Sequence, residues 1–211
     1  MRSRLVRAVA DAVAVAATAM TLGCIGPSTV PAIGSAEVAT DFASYSIRRV
    51  GFIPFRPLHD TRMAPHEVGA METSFHAEFS AATPYDIIPL DARDIAEILP
   101  PEPFRRGWYS SETIVAIRDR YRLDALFIGS VTARRLTPPL VLGAQLDLVS
   151  CETGQTIWSS DIVLDASNES TRRAIEVWAE RELGRGYAAD VALMSPRRFA
   201  HFAAFQMARM L

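Results

Sequence analysis

The sequence predicts an α/β fold in which a single mixed β-sheet of about five strands is covered by helices. Five short apolar segments end at proline, glycine or turn residues, as β-strands do. The segments between and after them carry apolar residues at helical spacing. Their order is strand, helix, strand, two helices, three strands and two helices, which favours a mixed sheet. Apolar residues make up 49% of the chain and charged residues 22%, as in ordinary globular proteins.

The first half of the domain supplies two predicted strands and two helices. Val50–Ile53 is a nearly continuous apolar run, which indicates a strand covered on both faces. A helix is expected from Pro65, because proline suits the first helical turn. Its apolar stripe consists of Val68, Met71, Phe75 and Phe79. A short strand follows at Tyr85–Leu90, and Asp91 is the expected N-cap of a short helix over Ala92–Leu99.

The second half begins with a helix that Ser110 or Ser111 can cap. Its buried positions are expected to be Ile114, Ile117 and Tyr121. Three strands follow: Leu126–Val131, Leu140–Val149 and Thr156–Leu164. The last two are expected to form a hairpin, because Gly154 lies in the turn between them and tolerates positive φ.

Two helices are predicted at the C-terminal end of the chain. The first can begin at Asn168 or Ser170, and Gly184 breaks its pattern. The second begins at Ser195, which serves as a cap, with Pro196 in the first helical position. Apolar residues recur along this last helix through Phe199, Phe202, Ala203 and Met210.

The first 24 residues have the pattern of a bacterial export signal. Three arginines lie within the first seven residues, and Ala8–Leu22 is rich in alanine and valine. Gly23 then supplies the small residue that a signal peptidase requires. Thr21–Cys24 resembles a lipobox, so Cys24 is the predicted site of lipidation. Asp11 interrupts the apolar run, and a permanent membrane span, which needs about 20 apolar residues, is not expected.

Two alternatives to a lipid anchor remain open at the sequence level. The leader can be an ordinary cleavable signal cut nearer Ala36, with Cys24 incidental, or the protein can be cytoplasmic. The preferred division is a signal peptide over residues 1–24, a flexible tether over 25–44 and one α/β domain over 45–211. If Cys24 carries lipid, Cys151 has no partner in the chain, so no internal disulfide is expected.

Four segments resemble the strand motifs of CsgG-type, LpoB-type and TolB amino-terminal-like envelope lipoproteins, in the right order. They are Val50–Phe55, Tyr85–Pro89, Tyr121–Val131 and Leu146–Ser159. The resemblance implies a TolB amino-terminal or anticodon-binding-domain-like fold. It also implies a periplasmic, membrane-anchored domain that binds other envelope components without catalysis. The long amphipathic hairpins that a pore would need are not seen between the core segments, so a pore is not expected.

The predicted function is therefore that of a non-catalytic protein-binding or assembly module of the cell envelope. By analogy with the family, Ile25 after Cys24 favours the outer membrane, with the domain at its periplasmic face. The expected partner is an unidentified envelope protein, and a homo-oligomer is possible. The formal charge of −2 gives no reason to expect nucleic acid. The alternatives are a secreted hydrolase with an unrecognised site and an oligomeric structural subunit of a secretion-type complex.

The candidate partner-binding residues lie in the loop between the two short central helices. This loop carries aromatic and arginine side chains, the types that dominate protein–protein hot spots: Phe104, Arg105, Arg106, Trp108 and Tyr109. In the alternative interpretation, Phe104 and Trp108 fold back over the helices.

No catalytic, metal or cofactor site is expected from the sequence. The four histidines lack the spacing and the cysteine or carboxylate neighbours of a metal site. Ser130 lies outside any G-x-S-x-G motif, and Cys151 has no basic sequence neighbour to activate its thiol.

Overall fold

A computed structural model of the chain describes residues 29–58, 63–98, 110–182, 184 and 189–211. The strands are β1 (Ser35–Val38), β2 (Arg49–Pro57), β3 (Asp86–Pro89), β4 (Ala125–Arg135), β5 (Val141–Ser150) and β6 (Thr156–Asp165). The helices are α1 (Pro65–Ala82), α2 (Ala92–Ala96), α3 (Ser111–Tyr121), α4 (Glu169–Glu182), α5 (Ala189–Met194) and α6 (Pro196–Ala208). None of the helices in these ranges has the length and apolar character needed to cross a bilayer.

The strands form one mixed six-stranded sheet in the order β1-β6-β5-β4-β2-β3. Strand β2 runs parallel to both of its neighbours, β3 and β4. The remaining pairs, β4 with β5, β5 with β6 and β6 with β1, are antiparallel. The α/β class and the mixed sheet predicted from the sequence are confirmed, and β2 lies inside the sheet, as its continuous apolar run predicts.

One face of the sheet packs against α1 and α6 through a core of large rings. Phe75 and Phe79 of α1 are fully buried. Phe79 contacts Phe127 of β4 and Trp158 of β6, with ring centroids 5.0 and 5.9 Å apart. Helix α4 contacts α6 through Trp178, whose ring packs against the ring of Phe202. We call this set of buried residues the aromatic core.

The opposite face of the sheet is covered by α2 and α3 over a smaller cluster whose buried members are isoleucine, leucine and valine side chains and one cysteine. Ile95 of α2 and Ile117 of α3 are fully buried there. They pack with strand residues that alternate with those of the aromatic core, among them Ile53 and Leu126. Cys151 also lies in this cluster. We call it the aliphatic core.

Local sequence signals determine where several helices begin. The Asp91 carboxylate accepts the Arg93 N–H at 2.7 Å, and the Ser110 hydroxyl accepts the Thr113 N–H at 3.4 Å. The Ser195 hydroxyl accepts the Arg198 N–H at 3.4 Å, and proline follows it. These bonds satisfy N–H groups that lack a partner within the first turn. The predicted caps at Asp91, Ser110 and Ser195 are therefore present.

The N-terminal part of the domain departs from the prediction. Residues 29–44, expected within a flexible tether, include β1, which pairs with β6 from Ser35↔Asp161 to Val38↔Trp158. Val30 is only 3% exposed and joins the aromatic core. The Gln206 amide of α6 donates to the Pro31 carbonyl at 2.9 Å and accepts the Ile33 N–H. Order therefore begins well before Tyr45, because this short segment completes the sheet edge.

Candidate functional site

The residues singled out from the sequence lie outside the part of the chain that the structure describes. Cys24 falls within residues 1–28, and the partner-binding loop falls within residues 99–109. The loop residues are Phe104, Arg105, Arg106, Trp108 and Tyr109. The structure describes the two helices that flank this loop. Helix α2 ends at Ala96 and α3 starts at Ser111, and both cover the aliphatic side of the sheet. The roles of these residues stay predictions.

A groove of about 320 Å³ lies between the N-terminal halves of α1 and α6 and the β4–β5 turn. We call it the α1–α6 groove. Buried apolar side chains line its interior: Met71, Leu140, Leu142, Phe199 and Ala200. Met63, Ala70 and Leu136 extend this apolar lining. The groove is therefore a gap in the edge of the aromatic core, walled by three separate elements.

Charged side chains are arranged around the groove. Arg134 forms an ion pair with Glu67, and both side chains are about one-fifth exposed. The Ala64 N–H donates to the Glu67 carboxylate at 2.7 Å. This bond, together with Arg134, holds the pKa of Glu67 below its ordinary value, so the Glu67 carboxyl is ionised at neutral pH.

Two further arginines line the groove. Arg135 donates from Nε to the Pro139 carbonyl at 2.5 Å and lies 3.6 Å from the Asp165 carboxylate. Arg197 is exposed on the first turn of α6. Among the described residues, three arginines line the groove, and two carboxylates, Glu67 of the lining and Asp165 beside Arg135, leave a formal charge of +1. The groove thus combines an apolar interior with a cationic rim.

Histidines elsewhere in the described ranges have structural partners. His201 of α6 bonds through Nε2 to the Glu78 carboxylate of α1, and its ring meets the Trp178 ring at 5.5 Å. His76 of α1 lies with Nε2 3.0 Å from the Ile87 carbonyl of β3. Both imidazoles therefore connect α1 to a neighbouring element.

Glu72 of α1 accepts the Phe55 N–H at 3.0 Å at the end of β2. Burial raises the pKa of this carboxyl, although the Phe55 N–H opposes the shift. A carboxylate with a raised pKa is a feature of many general acids. Its contact, however, is a backbone N–H, and this interaction ties α1 to the sheet.

Cys151 is the free thiol of the aliphatic core and is 2% exposed. Burial raises the pKa of its thiol to about 12, because the thiolate would lose its hydration. Reactive cysteines instead have depressed pKa values. Within the described ranges, no group of three histidine, cysteine or carboxylate side chains is placed to hold a metal ion.

Sequence reasoning did not find the α1–α6 groove. Its walls come from three stretches that are about 60 residues apart in the chain, around Met71, Arg134 and Phe199, and no local period relates them. The available signal was the Arg134-Arg135 pair, which forms the end of the otherwise apolar strand β4. Charges at the end of a buried strand often border a site at the sheet edge.

No protein-family model matches this sequence, and no curated protein matches it. Among solved structures, the chain is similar to a PelC dodecamer from Paraburkholderia phytofirmans, at 12% identity and a TM-score of 0.45. That alignment covers 80% of this chain and 98% of the other.

Two other similar structures are lipoprotein GNA1162 from Neisseria meningitidis and the LpoB C-terminal domain from Escherichia coli. Lipoprotein GNA1162 is 15% identical, with a TM-score of 0.41, and the alignment covers 66% of this chain and 99% of the GNA1162 chain. The second is 10% identical, with a TM-score of 0.39, and covers 59% of this chain and 92% of its own. At TM-scores below 0.5 the backbones superpose only in part.

Proposed function

We propose that this protein is a lipid-anchored component of the bacterial cell envelope that binds a protein partner without catalysing a reaction. The observation that carries the proposal is the position of Cys24, at the end of an export-type leader and six residues before Val30, which is buried in the core. The leader directs the chain out of the cytoplasm, and acylation at Cys24 holds the domain at the periplasmic face of the outer membrane.

The polar side chains of the described ranges support binding over catalysis. His76 and His201 bond to neighbouring elements, and the Cys151 thiol is buried with a raised pKa. A hydrolase instead needs a nucleophile and a base within hydrogen-bond reach, with a third group that orients the base.

The proposed partner surface is the loop that carries Phe104, Arg105, Arg106, Trp108 and Tyr109. It joins α2 to α3, the two helices that cover the aliphatic core. Aromatic and arginine side chains supply most of the binding energy in many interfaces. A partner bound here is kept at high effective concentration by the lipid anchor, because tethering restricts both molecules to one surface.

The anchor is tested by expressing the full chain with Cys24→Ser and, as the matched control, with Cys151→Ala. We expect Cys24→Ser to abolish incorporation of a labelled fatty acid and to release the protein from the membrane fraction. Cys151→Ala should retain both properties. Mass spectrometry that finds an intact N-terminus and an unmodified Cys24 thiol in the wild type would overturn the anchor.

The partner surface is tested with Arg105→Ala/Arg106→Ala, compared with Arg172→Ala/Arg173→Ala. The control also removes two adjacent arginines, which lie exposed on α4. In cross-linked envelope fractions, we expect the loop variant to lose its partner and the α4 variant to keep it, with reciprocal capture identifying the same pair. Equal retention by both variants contradicts the role of the loop. Sedimentation at several concentrations separates a homo-oligomer from a monomeric tether.

A further inference from the structure

We propose that the α1–α6 groove binds a single-chain anionic amphiphile, with the aliphatic chain in the groove and the anionic head at its rim. The ligand class is a medium-chain carboxylate such as decanoate. This goes beyond the proposed function, because it concerns a different surface and does not require Cys24 to be acylated.

The size of the groove favours one short chain. Small-molecule sites begin at about 300 Å³, and this groove measures about 320 Å³. Since an apolar cavity of about 150 Å³ holds benzene, with its six carbons, a groove twice that size accepts on the order of ten to twelve carbons. A lipid with two long chains exceeds this volume.

The lining is suited to methylene groups. Met71, Leu140 and Phe199 are at most 2% exposed and form the apolar interior. Met63 and Met71 bring flexible thioether side chains to the same wall, and methionine adapts to chains of different shape. An aliphatic ligand chain bound here would pack against these side chains of the aromatic core. Its own apolar surface would then be removed from water.

The rim selects the charge of the head group. The Glu67 carboxylate is already paired with Arg134, so it does not repel an incoming anion as a lone carboxylate would. Arg197 is exposed on the first turn of α6, and no ion pair to it occurs within the described ranges. The positive end of the 13-residue helix α6 lies at the same point. Arg135 also lies at the rim on the β4 side, where the Asp165 carboxylate 3.6 Å away already pairs with it, so Arg197 is the main cation offered to the head group.

The test uses the full chain with Cys24→Ser, so that neither an attached acyl group nor detergent competes. Titration calorimetry with decanoate should show one site per chain. Octanoate should bind about 15-fold more weakly, because each methylene contributes roughly fourfold in affinity. Decanol should bind more weakly than decanoate, and decyltrimethylammonium more weakly again. Absence of decanoate binding, or equal affinity for decanoate and decanol, would overturn the proposal.

Two pairs of variants locate the site. Arg197→Glu should weaken decanoate at least tenfold, whereas Arg172→Glu, another exposed helical arginine, should leave it unchanged. Glutamate near the start of α6 is compatible with the helix dipole, so folding is retained. Ala70→Leu fills the groove and should abolish binding, and Ala77→Leu, at an exposed position of the same helix, should not.

Retained binding in Ala70→Leu would overturn the location of the site. Light scattering during the titration distinguishes the other occupants of an apolar groove. Decanoate that binds to a monomer supports the proposal. A dimer that dissociates when Ala70→Leu is introduced would instead identify the groove as a contact between two copies of the chain.

Discussion

The two faces of the sheet bury different kinds of side chain and are covered by helices of very different length. On one face, α1 and α6 have 18 and 13 residues and pack on a network of phenylalanine and tryptophan rings. On the other face, α2 and α3 have 5 and 11 residues and pack on isoleucine, leucine and valine. Aromatic side chains bury the largest areas, so most of the stability should come from the aromatic core.

The difference also affects local motion. Segments with little buried area open more easily than the rest of a domain. The aliphatic side is covered by two short helices that are joined by the proposed partner loop. We therefore expect the aliphatic side, which carries the proposed partner loop, to open locally more readily than the aromatic side.

The largest expected effect is that of Phe127→Ala in the aromatic core. Phe127 is fully buried and its ring contacts those of Phe52, Phe79 and Trp158. Its removal should lower the free energy of unfolding by about 3–5 kcal/mol, as measured by urea denaturation. A loss below about 2 kcal/mol would mean that the rings repack and that the aromatic core does not dominate stability.

A smaller effect is expected for Ile117→Ala in the aliphatic core. Ile117 is fully buried in α3, so about 2–4 kcal/mol should be lost. Part of this loss should appear as local opening of α3, measured through alkylation of Cys151 in a Cys24→Ser background. The buried thiol, with its pKa of about 12, should hardly react at pH 8 in the folded protein. It should react many-fold faster in the variant. Amide exchange of β4, measured in parallel, gives the rate of global unfolding for comparison.

If Cys151 in the Ile117→Ala variant reacts only at the rate of global unfolding, the two cores open together. The two faces of the sheet then do not differ in local stability, which contradicts our expectation. Phe127→Ala serves as the control, because it lowers global stability from the other face of the sheet.

The smallest effects concern two carboxylates of α1 whose pKa values shift in opposite directions. The pKa of Glu72 is raised by burial. The fold therefore favours its protonated form, and this stability is present below about pH 4.5 and lost as pH rises through the folded pKa. Glu72→Gln, which keeps an acceptor for the Phe55 N–H, should therefore be more stable than the wild type at pH 7 but not at pH 4.

Glu67 provides the matched comparison on the same helix. Its pKa is lowered by the Ala64 N–H and by Arg134, so its stabilising effect is present above about pH 4.5 and lost as pH falls through the folded pKa. Glu67→Gln should therefore be less stable than the wild type at pH 7. Thermal unfolding at pH 4 and pH 7 measures the stability of both variants. If both substitutions change stability at pH 7 in the same direction, the opposite pKa shifts of Glu72 and Glu67 are contradicted.

Much of this architecture could be predicted because its signals are local. The apolar runs of β2 and β4 predict buried strands, Gly154 has φ +71° in the predicted hairpin turn, and Ser195 with Pro196 marks the start of α6. In each case, a few neighbouring residues contain the physical reason for the element.

The elements that were missed depend on distant contacts. Strand β1 is four residues long and mostly exposed, so neither length nor alternation indicates it. It exists because β6, more than 110 residues later in the chain, offers an unpaired edge. Helix α5, over Ala189–Met194, was likewise not predicted, because a six-residue helix has too few turns to show a period. The α1–α6 groove forms only where three segments that are distant in the chain meet: α1, the β4–β5 turn and α6.

The early start of the ordered domain limits how far it can stand from a membrane. The Val30 side chain is buried, and Arg209 donates to the Val30 carbonyl at 2.7 Å at the end of α6. Six residue steps separate Val30 from Cys24, and six extended steps span at most about 20 Å. With an acylated Cys24, the end of the molecule formed by Val30 and Arg209 would lie close to the lipid headgroups. The domain would then meet partners that lie within about its own length of the bilayer surface.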